Sequence, residues 1–312
     1  MEVESFSTPS QEVSTTIYST REGVGVDAAG RSEFDAYLDN PPSCAGWQDR
    51  QECPTCGFLR RYYCFQCFSI VGMPDTMEAL NLILPLKVDI IITGKERKKS
   101  SGVQVGVMAP NSVQLVPFEG DIPDYDPATT FVVFPSHESV CWDELKPEDL
   151  QSAKGLILVD SRWERTGPIL NHPKLSGLRH IRIRHPPKQS RFWRWHLRGE
   201  GHICTAEATY FVLKEFEQAS GLTTSGGRLE DILFMFAMMH DRIRVALKTD
   251  PTRAGKQEPM GETAKKEYRQ RSVKTVDRLL KPKHVAIKDI RDLRGEEVAL
   301  EAYFLQRSES GR

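Results

Sequence analysis

The 312-residue sequence has no long hydrophobic run: its most apolar window, residues 80–92 (LNLILPLKVDIII), is broken by Asn81, Lys87 and Asp89. A bilayer-spanning helix needs about 20 apolar residues, so no membrane partner is expected. The first twenty residues hold neither a basic residue nor an apolar block. We therefore expect neither a secretory signal nor a mitochondrial presequence. An excess of one charge is also missing, with 42 Lys and Arg against 43 Asp and Glu for a net of −1. That excludes a wholly basic nucleic-acid wrapper and an acidic solvating chain. No internal repeat is present. The glycine-rich stretch at 23–30 (GVGVDAAG) lacks the dinucleotide-binding spacing and has no strand before it.

The neutral total hides an uneven distribution. Residues 1–40 hold eight acids and two bases, 154–198 eleven bases and two acids, and 255–288 ten bases and four acids. We read 1–45 as a mostly disordered acidic segment with a short helix around Phe34, Tyr37 and Leu38. Residues 46–75 read as a cysteine knuckle, 76–248 as an α/β unit, and 249–312 as a basic extension. Within the α/β unit, 129–135 (TTFVVFP) and 154–160 (KGLILVD) are β-branched runs suited to strands buried on both faces. Residues 103–107 and 112–116 are further short strand candidates, and 180–185 (HIRIRH) alternates as a strand with one arginine face. Apolar residues at helical spacing mark helices over 206–217 and 229–247. Strands followed by helices predict an α/β fold with a parallel sheet.

Seven cysteines is an odd count, and four of them form two CxxC pairs, Cys53/Cys56 and Cys64/Cys67. Zn²⁺ prefers tetrahedral sulfur, and a CxxC turn presents two thiolates to one ion. Four thiolates close the coordination sphere, so the expected role of this Zn²⁺ is structural.

Asp160 ends the buried run at 154–160, where open α/β sheets place ligands. A helix N-cap is the alternative role for it, as core packing is for Trp163. Downstream, Arg182 and Arg184 precede a segment in which Arg191, Arg194 and Arg198 interleave with Phe192, Trp193 and Trp195. Arginine forks bind phosphates and flat rings stack on bases, so these eight residues are candidates for RNA binding. A solvated basic face with tryptophans in the core is the other reading.

The pieces CPTC…YYCFQCF, LPLKVDII, VVFPS, LVDSRW, FWRW and CTAEATYFVLKEF together resemble the DTW-domain family, over about residues 50–248. Within it they resemble the eukaryotic tRNA-uridine aminocarboxypropyltransferases. Two positions depart from the family pattern: Arg162 stands where it has threonine, and Cys204 where it has serine. The resemblance implies a SPOUT-like parallel sheet flanked by helices, and leaves open whether its C-terminal half is knotted. It makes 76–248 the catalytic domain. It implies S-adenosyl-L-methionine as consumed donor of a 3-amino-3-carboxypropyl group, and N3 of a D-loop uridine in tRNA as acceptor. Asp160 is then a candidate base or a cofactor anchor. Pro135, Ser136, Ser161, Arg162, Trp163, Thr205 and Glu207 become candidate cofactor contacts, with helix capping an equal contender for Thr205 and Glu207. A methyltransferase using the same donor, or a non-catalytic zinc-knuckle RNA-binding protein, is the alternative. The resemblance places the protein in the nucleus, with the cytoplasm as the other option.

Overall fold

Helix α1 (Arg31–Asp39) is the short helix expected around Phe34, and it packs on the main core through Phe34, Tyr37 and Leu38. These coordinates come from a computed structural model that describes residues 31–41, 43, 47, 50–74, 81–93, 97–162, 165–193 and 201–249. After α1 come two small antiparallel hairpins, β1 (Gln51–Glu52) with β2 (Leu59–Arg60), and β3 (Tyr62–Tyr63) with β4 (Ile70–Val71).

The β-branched runs then build one parallel sheet. Strands β5 (Lys87–Ile92), β6 (Val113–Pro117), β7 (Thr130–Val133), β8 (Gly155–Asp160) and β9 (Arg179–Ile181) lie in the order β6-β5-β8-β7-β9. Pro85 holds back the start of β5, because proline cannot donate to a ladder. Helices α2 (Gly102–Met108), α3 (Pro147–Ser152), α4 (Thr166–Leu170), α5 (Thr205–Ser220) and α6 (Phe234–Thr249) complete the chain described. The α/β class, with a parallel sheet between helices, is as the sequence predicts.

Strand alternation divides the interior in two. Val88, Ile90 and Ile92 of β5 and Leu156 and Leu158 of β8 join the core with α2, α5 and α6. Ile91, Val132 and Ile157 face the other way, onto Ile122, Ile169, Leu175 and Leu178. Full burial of each such side chain contributes roughly 1.5–3 kcal/mol. The same parity turns Asp160, two residues beyond Leu158, toward α2 and α5.

Three expectations are corrected. Residues 103–107 are not a strand but most of α2, in which every residue is buried. With no polar face, the helical period left no mark in the sequence. Gly106 lets this helix lie on the sheet, since a Cβ there would come within 2.6 Å of a Leu115 methyl. The strand expected over 180–185 stops after Ile181, because Glu215 of α5 takes the backbone N–H groups of Arg184 and His185. The single helix expected over 229–247 opens instead as a 3-10 turn, Leu229–Leu233, before α6.

Candidate functional site

The chain leaves β5 toward β6 on one side and leaves β8 toward β9 on the other. The sheet therefore has a switch point between the carboxyl ends of β5 and β8, where the two departing loops open a crevice. A cleft of about 380 Å³ lies there, within the roughly 300–1,000 Å³ typical of small-molecule sites. Lys99, Ser100 and Ser101 line it from the loop after β5, Asp160–Arg162 from the loop after β8, and Thr205 from the start of α5.

Asp160 is fixed by this junction. Its Oδ2 accepts the Ser100 hydroxyl at 2.5 Å and the Gly102 N–H at 3.4 Å. The Ser100 Oγ in turn accepts the Val103 N–H at 3.2 Å, and Ser101 Oγ accepts the Ala206 N–H of α5 at 3.1 Å. The Ser-Ser pair thus ties the ends of two helices to one carboxylate. Gly102 has no room for a side chain: a Cβ would lie 2.9 Å from Asp160 Oδ2. Arg162 stands at the threonine position of the family pattern, and its carbonyl holds the turn by accepting Arg165 N–H at 2.7 Å and Thr166 Oγ1 at 3.3 Å.

Of the other nominated cofactor contacts, Pro135, Ser161 and Thr205 line the cleft. Ser136 does not line it, and its Oγ is 2.8 Å from His180 Nδ1. Glu207 is fully buried and does not line the cleft. Its carboxylate accepts the Cys204 N–H at 2.7 Å, as a capping-box glutamate does, and also Ser190 Oγ and Arg191 N–H at 2.6 Å each. Burial pushes the Glu207 carboxyl up against the pull of these donors. Burial likewise pushes the Cys204 thiol well up, which makes it a neutral group of the cleft wall and not a nucleophile. Trp163 lies outside the described residues. Ser100, Ser101 and the buried His202 were not nominated. A Ser-Ser-Gly before an apolar run is a helix-start signal, and reading 103–107 as a strand hid it.

Among the described residues, the nominated arginines are occupied within the protein. Arg182 forks onto both Glu144 oxygens at 3.0 Å and lines the cleft. Arg184 reaches Asp143 at 2.6 Å and Glu144 at 2.9 Å. Arg191 pairs with Asp35 and Asp39 of α1. Phe192 and Trp193 pack on Phe236, at centroid distances of 6.4 and 5.5 Å. Arg194, Trp195 and Arg198 lie outside the described residues.

Glu215, two turns beyond Glu207 on α5, carries a testable pH signature. Burial pushes its carboxyl up to about 7, although the Arg184 and His185 N–H groups pull it down. An unfolded glutamate loses its proton near 4.5. The folded protein therefore holds an extra proton between these values, and stability is lost as pH rises through the window. Glu215→Gln should flatten that fall and match or exceed the parent melting temperature at about pH 8. Thermal melts over a pH series would show it; an unchanged slope would dismiss Glu215 as the source.

The knuckle brings Cys53, Cys56, Cys64 and Cys67 together, with all four sulfurs within 4.8 Å of one another. Each CxxC turn closes by a backbone bond, Gly57 N–H to Cys53 O at 2.9 Å and Phe68 N–H to Cys64 O at 2.8 Å. Gly57 and Phe68 are both left-handed, with φ of 69° and 56°. The four sulfurs stand within metal-binding distance.

The DTW domain family model matches residues 50–244. Among characterised proteins, tRNA-uridine aminocarboxypropyltransferase 1 of Xenopus tropicalis is 26% identical over 243 residues, covering 64% of this chain and 81% of that protein. The Mus musculus protein of the same name is 25% identical over 241 residues, 63% of this chain and 78% of its own. The Homo sapiens one is 25% identical over 251 residues, with shares of 66% and 81%. No solved structure matches. Since the match runs from just before β1 into α6 and takes in every strand of the sheet, the chain belongs to the DTW-domain family.

Proposed function

We propose that this protein is a tRNA-modifying transferase that moves the 3-amino-3-carboxypropyl group of S-adenosyl-L-methionine to N3 of a D-loop uridine. The observation that carries it is the cleft at the sheet's switch point, lined by Asp160, Ser161, Arg162 and Thr205. Its donor set suits an amino acid-bearing sulfonium: a carboxylate for an ammonium, and a guanidinium and the N-terminus of α5 for a carboxylate. The sulfonium supplies three electrophilic carbons, and the pocket decides which one meets the nucleophile. Bond formation from N3 to the aminocarboxypropyl carbon breaks that carbon's bond to sulfur. The electron pair of the broken bond stays on the sulfur of the departing methylthioadenosine, and the N3 imide proton passes to solvent water.

Asp160 already accepts two hydrogen bonds at one oxygen. Such a carboxylate suits holding the donor's ammonium or ribose better than taking up a proton, and we assign it the anchoring role. Zn²⁺ fits the knuckle: Cys56 Sγ to Cys64 Sγ is 3.7 Å, against about 3.8 Å for the edge of a tetrahedron with Zn–S near 2.3 Å. Bound there, it would be structural, since four sulfurs leave no open position.

The test is to incubate purified protein with unmodified tRNA and labelled donor, then analyse nucleosides and by-product by mass spectrometry. Methylthioadenosine with an aminocarboxypropyl-uridine is the expected pair. S-adenosylhomocysteine would convert the reading to a methyltransferase, and no turnover to a binding protein.

A further inference from the structure

We propose that the substrate RNA docks across the outer face of the cysteine knuckle and the neighbouring turn at Arg97–Lys99. This rests on the tRNA reading above and names a surface that serves it, separate from the arginine segment the sequence nominates. Arg182, Arg184 and Arg191 are held by carboxylates of the protein itself. The knuckle differs. Residues 50–74 and 97–99 carry six bases, Arg50, Arg60, Arg61, Arg97, Lys98 and Lys99, against Glu52 alone. Among the described residues, Arg60, Arg97, Lys98 and Lys99 pair with no carboxylate.

Arg60 donates to Gln66 Oε1 at 2.8 Å and to Leu59 O at 3.2 Å, and Arg60, Arg97 and Lys98 also lie over aromatic rings. The Arg60 guanidinium lies 5.1 Å from the Phe58 ring centre and 4.4 Å from that of Phe65. Lys98 Nζ lies 5.7 Å from the Phe65 centre, and the Arg97 guanidinium 5.9 Å from that of Phe68. The result is a ladder of rings and cations that joins the knuckle to the turn. Phe58 and Leu59 at its outer end are 55% and 57% exposed, the most exposed large apolar side chains among the described residues. Rings that offer a face to a base, next to cations that no carboxylate neutralises, are what a single-stranded RNA loop requires. The ladder also leads somewhere. Lys98 is followed directly by Lys99, Ser100 and Ser101, which line the cleft. An RNA loop lying on the ladder therefore delivers a base at the cleft mouth, a continuity that a membrane or a protein partner would not need.

Fluorescence anisotropy with unmodified tRNA over a salt series tests this. Phe58→Ala should weaken binding about 5- to 150-fold with the salt slope unchanged, the loss expected of one stacked base. The double change Arg60→Gln, Lys98→Gln should lower the salt slope by about 1.4–1.8, the release from two phosphate contacts. Affinity for S-adenosyl-L-methionine, read by calorimetry, should not move in either. If the parent protein transfers the group and both variants bind tRNA as it does, the docking surface is overturned while the enzymatic reading stands. If the parent binds the donor but no tRNA, both fall. Should the double variant lose its fold, ultraviolet cross-linking of unaltered protein to tRNA decides instead. Adducts on residues 58–68 or 97–99 support the proposal, and adducts confined elsewhere overturn it.

Discussion

Asp160→Asn should bring transfer down by roughly 10- to 150-fold, with the fold intact. The estimate follows from losing a hydrogen-bonded charge contact, worth about 1.5–3 kcal/mol, at a site whose other groups stay in place. An anchoring carboxylate predicts that the loss falls mainly on KM for the donor; a base predicts that it falls on kcat and shifts the pH profile. Steady-state kinetics separates the two. Gly102→Ala is the companion change, since it leaves every polar group in place. Its new methyl would stand 2.9 Å from Asp160 Oδ2 and 3.2 Å from a Thr205 methyl carbon, so the junction must spread. It should reproduce much of the KM effect without removing a charge. Full activity in both variants would show that the switch-point carboxylate is not part of the site.

Cys53→Ser, or removal of metal by a thiol-competing chelator, should unfold the knuckle and lower the melting temperature of the whole protein. Four sulfurs this close cannot all ionise without a cation. Ser69 draws the Cys53 thiol down to about 6, while burial and the neighbouring sulfurs push Cys67 up to about 12. A bound Zn²⁺ removes that conflict and adds binding energy that exists only in the folded chain. The damage would spread, because Tyr62 of the knuckle packs edge-on against Trp47 at 5.5 Å, and Trp47 lies 6.1 Å from Phe234 of α6. Tyr63 adds a tie, accepting the Gln104 amide of α2 at 3.1 Å. Metal analysis of the purified protein should give about one zinc per chain. Cleanly folded protein without zinc would remove this account of the knuckle.

The parts of the fold legible in the sequence are those with a local signature. Strands β7 and β8 are short β-branched runs, α5 and α6 carry an apolar stripe, and the two CxxC pairs declare their own geometry. Asp160 could be nominated because the end of a buried strand is a local fact. Helix α2 could not be read, since burial on all sides erases the contrast that periodicity depends on. The fate of the arginines was hidden for a different reason. The acids that claim Arg182, Arg184 and Arg191 lie 38, 41 and 156 positions away in sequence. Only the folded chain brings Glu144, Asp143 and Asp35 to them. A basic run says how much charge is present, and nothing about whether it is already spoken for. The ladder on the knuckle escaped for the converse reason, since its cations are split between two short stretches that are unremarkable apart.

Helix α1 separates two ways of drawing a boundary. The family model begins to match at residue 50, whereas the apolar interior begins at Phe34. Phe34 lies 5.6 Å from Tyr210 and 4.9 Å from Phe211, Asp35 and Asp39 hold Arg191, and Glu33 holds Lys214. A protein trimmed to the matched region would keep every strand and the whole cleft, yet expose aromatic surface on α5, take Asp35 and Asp39 from Arg191, and leave Lys214 with Glu230 alone. It should be prone to aggregate for reasons unconnected with its chemistry. The family match thus ends short of the folded interior: α1, which lies before residue 50, is the cover that keeps the aromatic face of α5 from solvent.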